Sequence, residues 1–384
     1  MSSRDADLAA RAEAVMTPNY RPAPVVFARG DGPWLFDQAG KRYLDFAGGI
    51  AVNTLGHNHP DLTRAICEQA RDLLHVSNLF LNEPAIRLAE RLCAISFAER
   101  VFFANSGAEA NEAAMKLARR YMRLVRGEDR FEFICAQDSF HGRTWAAISA
   151  TGQPKYHEGF GPLVPGFVHV PYDDLAAIEA AVTPRTCAVF MEPLQGEGGV
   201  ITPSPDFLPG LRALCDRHGI LLILDEVQTG VGRTGRWFGH QHDDGAAPDI
   251  MTLAKGLAGG VPIGAMVCTA EVARGFVPGA HASTFGGNAL ACRAGLAVLN
   301  VIEREDLLGN VQRVGKHLGA ALEGLVERHH GLVEGRGRGL LRGVAVDPER
   351  VDRGRVLAAA RASGLLLTQA GGDALRFSPA LNIG

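Results

Sequence analysis

Between about residues 61 and 275 the chain alternates two patterns of apolar and polar positions. Helical spacing runs through Pro84 to Ser96, Ala108 to Arg126 and Leu208 to His218. Between these lie short runs that are almost wholly apolar: Val101 to Phe103, Phe131 to Cys135, Cys187 to Met191, Ile220 to Leu224, Ile250 to Ala254 and Gly264 to Cys268. A strand with one wet face alternates, whereas a strand buried on both faces is continuously apolar. The pattern predicts an α/β fold with a mostly parallel sheet covered by helices on both faces. Ahead of it, Asp31 to Gly40 and Lys41 to Phe46 read as a hairpin with a Gly-containing turn. From Ala289 the character changes to long helices, Ala289 to Arg304 and Leu308 to His329. Short strands around Gly339 to Asp347 follow, then a helix from Arg353 to Ser363. A strand pair, Leu365 to Thr368 and Ala374 to Ser378, comes last. The expected division is an N-terminal segment, residues 1–60, belonging to a smaller domain, a large domain over 61–288, and a smaller C-terminal α/β domain over 289–384.

Two of the apolar runs stop abruptly in a charge. Leu222-Ile-Leu ends in Asp225, followed by Glu226-Val227-Gln228, and Ile250-Met-Thr-Leu-Ala ends in Lys255-Gly256. Parallel strands would bring both charges to one rim of the sheet, where open α/β sheets bind their ligands. A carboxylate there is costly unless paired, by an arginine, a backbone nest or a pyridinium nitrogen. A buried lysine loses its proton more readily, which frees an amine for Schiff-base chemistry.

Three further segments follow predicted strands. Ser106 to Glu109, within Asn105-Ser-Gly-Ala-Glu-Ala-Asn-Glu112, has the S-x-x-E form of a capping box. It serves equally as a plain helix cap or as a phosphate site built on free backbone N–H groups. In Ser139-Phe-His-Gly-Arg-Thr144, Phe140 and Arg143 suit a ring and a carboxylate, or a core residue and a surface charge. Glu192-Pro-Leu-Gln-Gly-Glu197-Gly-Gly-Val200 is a ligand-facing loop or a solvated turn.

Composition narrows the class. With 384 residues, 47% apolar and 21% charged, and a formal charge of −3, the chain has material for a large core. It has no field to gather nucleic acid or an anionic membrane. No apolar run approaches the roughly 18 residues of a spanning helix, and the acidic start lacks a secretory apolar segment. Seven cysteines without a CxxC pair read as reduced core thiols of a cytoplasmic protein. His57-Asn-His59 lacks a third ligand, so no metal is expected. Gly335-Arg-Gly-Arg-Gly339 runs into apolar residues and reads as a strand entry, not an RNA-binding tract.

Taken together, these motifs resemble the class III aminotransferases, fold-type I enzymes dependent on pyridoxal 5'-phosphate, over about Tyr20 to Ile383. Tyr43-Leu-Asp-Phe-Ala-Gly-Gly-Ile-Ala-Val-Asn53-Thr-Leu-Gly-His57 and the Asn105 to Glu112 octet are similar to the acetylornithine aminotransferase branch. The resemblance implies that Lys255 forms the Schiff base and Asp225 pairs with the pyridine nitrogen. Gln228 would lie near the ring hydroxyl, with Val227 and Phe140 on opposite ring faces. Ser106, Gly107 and Ala108 would cradle the phosphate. Thr284 would add a contact from the partner subunit of a homodimer. It further implies that Arg143 and Ser283 hold the acylated end of the substrate. Arg376 would bind the α-carboxylate of glutamate or 2-oxoglutarate, and Glu197 would neutralise it otherwise. The implied reaction moves the δ-amino group of N2-acetyl-L-ornithine to 2-oxoglutarate, a step of arginine biosynthesis. Succinylornithine, ornithine, 4-aminobutyrate and aminoadipate-semialdehyde chemistry are the alternatives, as is a catalytically silent cofactor-binding homologue. Relatives usually continue into a further helix beyond the Arg376 segment, so the expectation is either a less enclosed Arg376 pocket or a truncated sequence.

Overall fold

A computed structural model describes residues 3–384. Its centre is a seven-stranded sheet of β1 (Arg100–Ala104), β2 (Glu132–Ala136), β3 (Phe167–Val170), β4 (Thr186–Met191), β5 (Leu221–Asp225), β6 (Ile250–Leu253) and β7 (Gly264–Cys268). The spatial order is β1-β7-β6-β5-β4-β2-β3. Pairing is parallel from β3 through β6, whereas β7 runs antiparallel to both β6 and β1. The apolar pattern does not betray that reversal, because β7 is buried on both faces like its neighbour β6.

The continuous apolar runs follow from burial on two sides. In β5, Leu221 and Ile223 pack with the helix Gly107–Arg120, while Leu222 and Leu224 pack with the helix Phe207–His218. Each such leucine or isoleucine contributes about 1.5–3 kcal/mol, so a polar residue is tolerated only where the strand leaves the core. Gly219 closes the second helix at φ 60°, a left-handed turn that aims the chain directly into β5. A third core cluster forms where the helix Ala289–Arg304 packs on Pro60–Asp72 and Glu83–Ile95. Asn288 caps that long helix by accepting from the Ala291 N–H at 2.9 Å.

The predicted hairpin is present as Trp34–Asp37 and Arg42–Asp45, with the Asp37 carboxylate accepting from the Ala39 and Lys41 N–H groups across the turn. Leu365–Leu366 adds to it in parallel, joining the two ends of the chain. The predicted strands around Gly339–Asp347 are one hairpin, Leu332–Arg338 with Leu341–Val346, and Ala374–Phe377 and Thr368–Ala370 extend it. The helix expected to run to Arg126 is α-helical to Arg120 and continues as a π turn over Tyr121–Val125. Among the elements not foreseen are the helices Ser3–Val15, Pro60–Asp72, Trp145–Ala150 and Leu175–Ala180, and edge strand β3, which is half-exposed and too short for a clear period.

Candidate functional site

A cavity of about 470 Å³ opens at the rim formed by the carboxyl ends of β5 and β6, the start of β7, and the turn after β1. Ser106, Gly107, Ala108, Phe140, Arg143, Glu197, Asp225, Val227, Gln228 and Lys255 all line it. Sequence positions up to about 150 apart thus meet because parallel strands deliver their ends to one place.

Asp225 is 5% exposed and held from three sides. Its Oδ2 accepts from Asn111 Nδ2 at 2.8 Å and from His141 Nδ1 at 2.9 Å, and its Oδ1 accepts from the Val227 N–H at 3.0 Å. A carboxylate can only accept, so His141 carries its proton on Nδ1. The imidazole lies flat on Phe190, centroids 4.0 Å apart. His141 Nε2 and Asn111 Oδ1 are buried without a partner among the described residues. Asn111 sits one helical turn beyond Gly107, a spacing that aims it at the same rim.

Lys255 lies two residues past the end of β6, in a 3₁₀ turn entered at φ 37°. A non-glycine residue held there is strained, which requires firm packing around it. Burial lowers its pKa, with help from the Arg376 charge, and the Glu197 and Asp225 carboxylates counter only in part. Among the described residues its amine has no hydrogen-bond or ion-pair partner within reach.

The Ser106 hydroxyl caps the helix Gly107–Arg120 by accepting from the Glu109 N–H at 3.2 Å. The expected reciprocal bond differs: the Glu109 carboxylate accepts from the N–H and side chain of Asn105, not from Ser106. The first intrahelical bond is made by Ala110, which leaves the N–H groups of Gly107 and Ala108 free. A Cβ on Gly107 would lie 2.8 Å from a Val227 methyl, so this position needs glycine for close packing. Two free N–H groups at a helix start suit an anion such as a phosphate.

Arg376, on the strand Ala374–Phe377, is 2% exposed. It donates to Thr368 Oγ1 at 3.0 Å, to Gln228 Oε1 at 3.1 Å and to the Glu197 carboxylate. Gln228 Nε2 donates in turn to Glu197 at 3.2 Å, so its amide joins this network. Burial would raise the Glu197 pKa, but the Arg376 and Lys255 charges outweigh it and hold the carboxyl below its usual range. The burial of Arg376 corrects the expectation of a less enclosed pocket: the two loops carrying Glu197 and Gln228 cover it.

Arg143 is exposed at the mouth, stacked 4.1 Å over the ring of Tyr156 and 5.6 Å from that of Phe140. Among the described residues it has no carboxylate partner. Ser283 stays outside the cavity but accepts from Asn105 Nδ2 at 3.3 Å, and Thr284 is exposed away from it.

Sequence reasoning assigned no role to Glu192, which directly follows β4 and lines the cavity. Its Oε2 accepts from the Phe140 N–H at 3.1 Å and its Oε1 from the Gly196 N–H at 3.2 Å. It thereby ties together the loops that carry Phe140, Arg143 and Glu197. Burial, reinforced by the Asp225 charge, pushes its pKa up to about 7 although His141 opposes. A carboxyl directly after six buried strand residues was the available signal.

The sequence profile of the class III aminotransferases matches residues 15–384. Acetylornithine aminotransferase 1 of Pseudomonas syringae pv. tomato is 50% identical over 97% of this chain and 92% of its own. The acetylornithine aminotransferase of Gloeobacter violaceus is 54% identical over 94% and 90% respectively. Among solved structures, the ornithine aminotransferase of Toxoplasma gondii superposes with a TM-score of 0.96 at 36% identity. It covers 100% of this chain and 92% of that one.

Proposed function

The chain belongs to the class III aminotransferases, which depend on pyridoxal 5'-phosphate, and we propose that it transfers the δ-amino group of N2-acetyl-L-ornithine to 2-oxoglutarate. The products are N-acetyl-L-glutamate 5-semialdehyde and L-glutamate. The residues at the rim fit the cofactor: free N–H groups at Gly107 and Ala108 for the phosphate, an anchored Asp225 carboxylate for the ring nitrogen, and an unpaired Lys255 amine for the aldehyde. Bound there, the cofactor supplies an electron sink for the carbon that carries the amino group.

The chain's own residues divide the remaining work. Asp225, oriented by Asn111 and His141, keeps its negative charge directed at the ring nitrogen. The lowered pKa of Lys255 leaves its Nζ able to take the proton from the substrate δ carbon and return it, as base and then acid. Val227 and Phe140 pack on the ring faces. Ser106 holds the helix end on which the phosphate sits, and Ser283 does the same through Asn105.

The observation that carries the substrate assignment is the contrast between two guanidinium groups on one cavity. Arg376 is buried and neutralised by Glu197, whereas Arg143 is exposed, preorganised by stacking and unpaired. Arg143 offers its bidentate fork to the α-carboxylate and acyl end of a donor that reacts at its far end. Glu197 then masks Arg376, and it releases Arg376 when glutamate or 2-oxoglutarate brings a carboxylate beside the reacting carbon.

The homodimer implied by Thr284 has support on the surface. Leu79, Phe80, Leu81 and Phe285 are 84%, 71%, 88% and 60% exposed. Asn78 donates to the Ser283 and Gly286 carbonyls, binding the two segments into one apolar patch beside Thr284. Patches of this kind mark interfaces, and a second copy of the chain is the partner we assign. The enzyme acts on small molecules in the cytoplasm.

Glutamate formation from 2-oxoglutarate tests the reading, with acetylornithine, succinylornithine, ornithine and 4-aminobutyrate as donors. Acetylornithine should give the highest kcat/KM. Arg143→Ala should raise its KM about tenfold or more, the worth of a charge-assisted pair. Preference for 4-aminobutyrate, or no glutamate from any donor, would overturn the proposal.

A further inference from the structure

A second cavity, about 570 Å³, shares no lining residue with the first. It lies where Thr234 and His242, from the segment after β5, meet Lys316 and Glu323 of the helix Leu307–Arg328 and Arg338 and Arg342 of the C-terminal hairpin. Two glycines build it. A Cβ on Gly315 would lie 2.4 Å from the Gly339 carbonyl oxygen, and one on Gly319 would lie 3.0 Å from the Arg342 guanidinium carbon. The helix therefore presses onto the hairpin turn, with Arg342 laid across it. Arg342 donates to the carbonyls of Gly339, Gly337 and Gly315 at 3.0, 2.8 and 3.0 Å. These bonds fix the cation without neutralising it, and two of its five N–H groups remain free.

The charge balance of this cavity is one-sided. Lys316, Arg338 and Arg342 face a single lining carboxylate, Glu323. Neither Lys316 nor Arg342 has an ion-pair partner among the described residues, and Arg338 reaches only Asp243, at 3.9 Å. The crowding is felt nearby: burial first, then the Arg338 and Arg236 charges, push the His242 pKa down to about 4. We propose that this groove binds a small, multiply charged anion through Lys316, Arg338 and the free N–H groups of Arg342. Phosphate esters and polycarboxylates share the chemistry that the site recognises. The site is independent of the amino-transfer reading, although Gly343, next to Arg342, is the register partner of Arg376.

Calorimetric titration of the cofactor-loaded protein tests it, with pyrophosphate and, separately, citrate at constant ionic strength. At least one should bind saturably, one per chain; the one that binds identifies a phosphoryl or a carboxylate ligand. Replacing Lys316 and Arg338 together by Gln should weaken binding about tenfold or more, since each supplies a charge-assisted hydrogen bond. Glu323→Gln should tighten it. Arg342 is left intact because it holds three backbone carbonyls. Activity without added anion should be unchanged in every variant, which also reports that they fold. Binding of neither probe overturns the proposal, as does binding that is equally tight in the Lys316/Arg338 variant, the result expected if the anion sits at Arg376 instead.

Discussion

Replacing Glu192 by Gln should remove the pH dependence of one increment of stability. The carboxyl rises from 4.5 in the unfolded chain to about 7 in the fold. Below pH 4.5 it is protonated in both states and costs nothing. As pH climbs from 4.5 to 7 the unfolded chain releases the proton while the native state keeps it, so stability is lost across that window and levels off above it. At about 1.4 kcal/mol per pKa unit, this shift amounts to roughly 3 kcal/mol in full, most of it falling between pH 5 and pH 8. Glutamine does not titrate, so this loss is absent from the variant. It also has one oxygen where Glu192 has two, so either the Phe140 or the Gly196 N–H loses its acceptor, at about 1–3 kcal/mol at every pH. Glu192→Gln should therefore be the less stable protein at pH 5 and close to or above the parent at pH 8. Urea unfolding at fixed protein and cofactor concentration measures this, because cofactor linkage common to both proteins cancels in their difference. Parallel pH profiles for parent and variant would refute the reasoning.

Three other substitutions probe other parts of the site. Gly107→Ala puts a methyl 2.8 Å from Val227; overpacking of about 1–3 kcal/mol should weaken cofactor binding about 5- to 150-fold, read by absorbance titration of the apoprotein, and an unchanged affinity would count against the assignment. Glu197→Ala strips Arg376 of its carboxylate, so the half-reaction with acetylornithine should fall about 10- to 150-fold while that with glutamate changes little; equal damage to both would sink the masking role. Leu81→Glu should convert the protein to monomers by light scattering and abolish activity, since Thr284 then reaches no neighbouring cavity. A fully active monomer would disprove the shared site.

Much of the fold was legible because burial writes itself into the chain. Six of the seven central strands announced themselves as apolar runs, and Asp225 and Lys255 stood out as charges where such runs stop. The seventh, Phe167–Val170, sits half-exposed at the sheet edge and has no comparable imprint. The reversal of β7 was invisible for the opposite reason: a strand buried on both faces looks the same in either direction.

The site divides along the same line. Residue types at strand and helix ends, the Ser106 cap, the acid of β5 and the lysine after β6, were decided by local sequence. Partnerships were not. That Asn111 and His141 converge on Asp225, that Gln228 bridges Glu197 and Arg376, and that Glu192 staples two loops while its proton is held to about pH 7 are facts of distance between remote segments. So is the unbalanced charge around Arg342. Hydrophobic periodicity is a property of neighbours along the chain, and the sequence alone carries it. The energy of a charge depends on the dielectric and the groups within a few ångströms, and only the folded arrangement sets those.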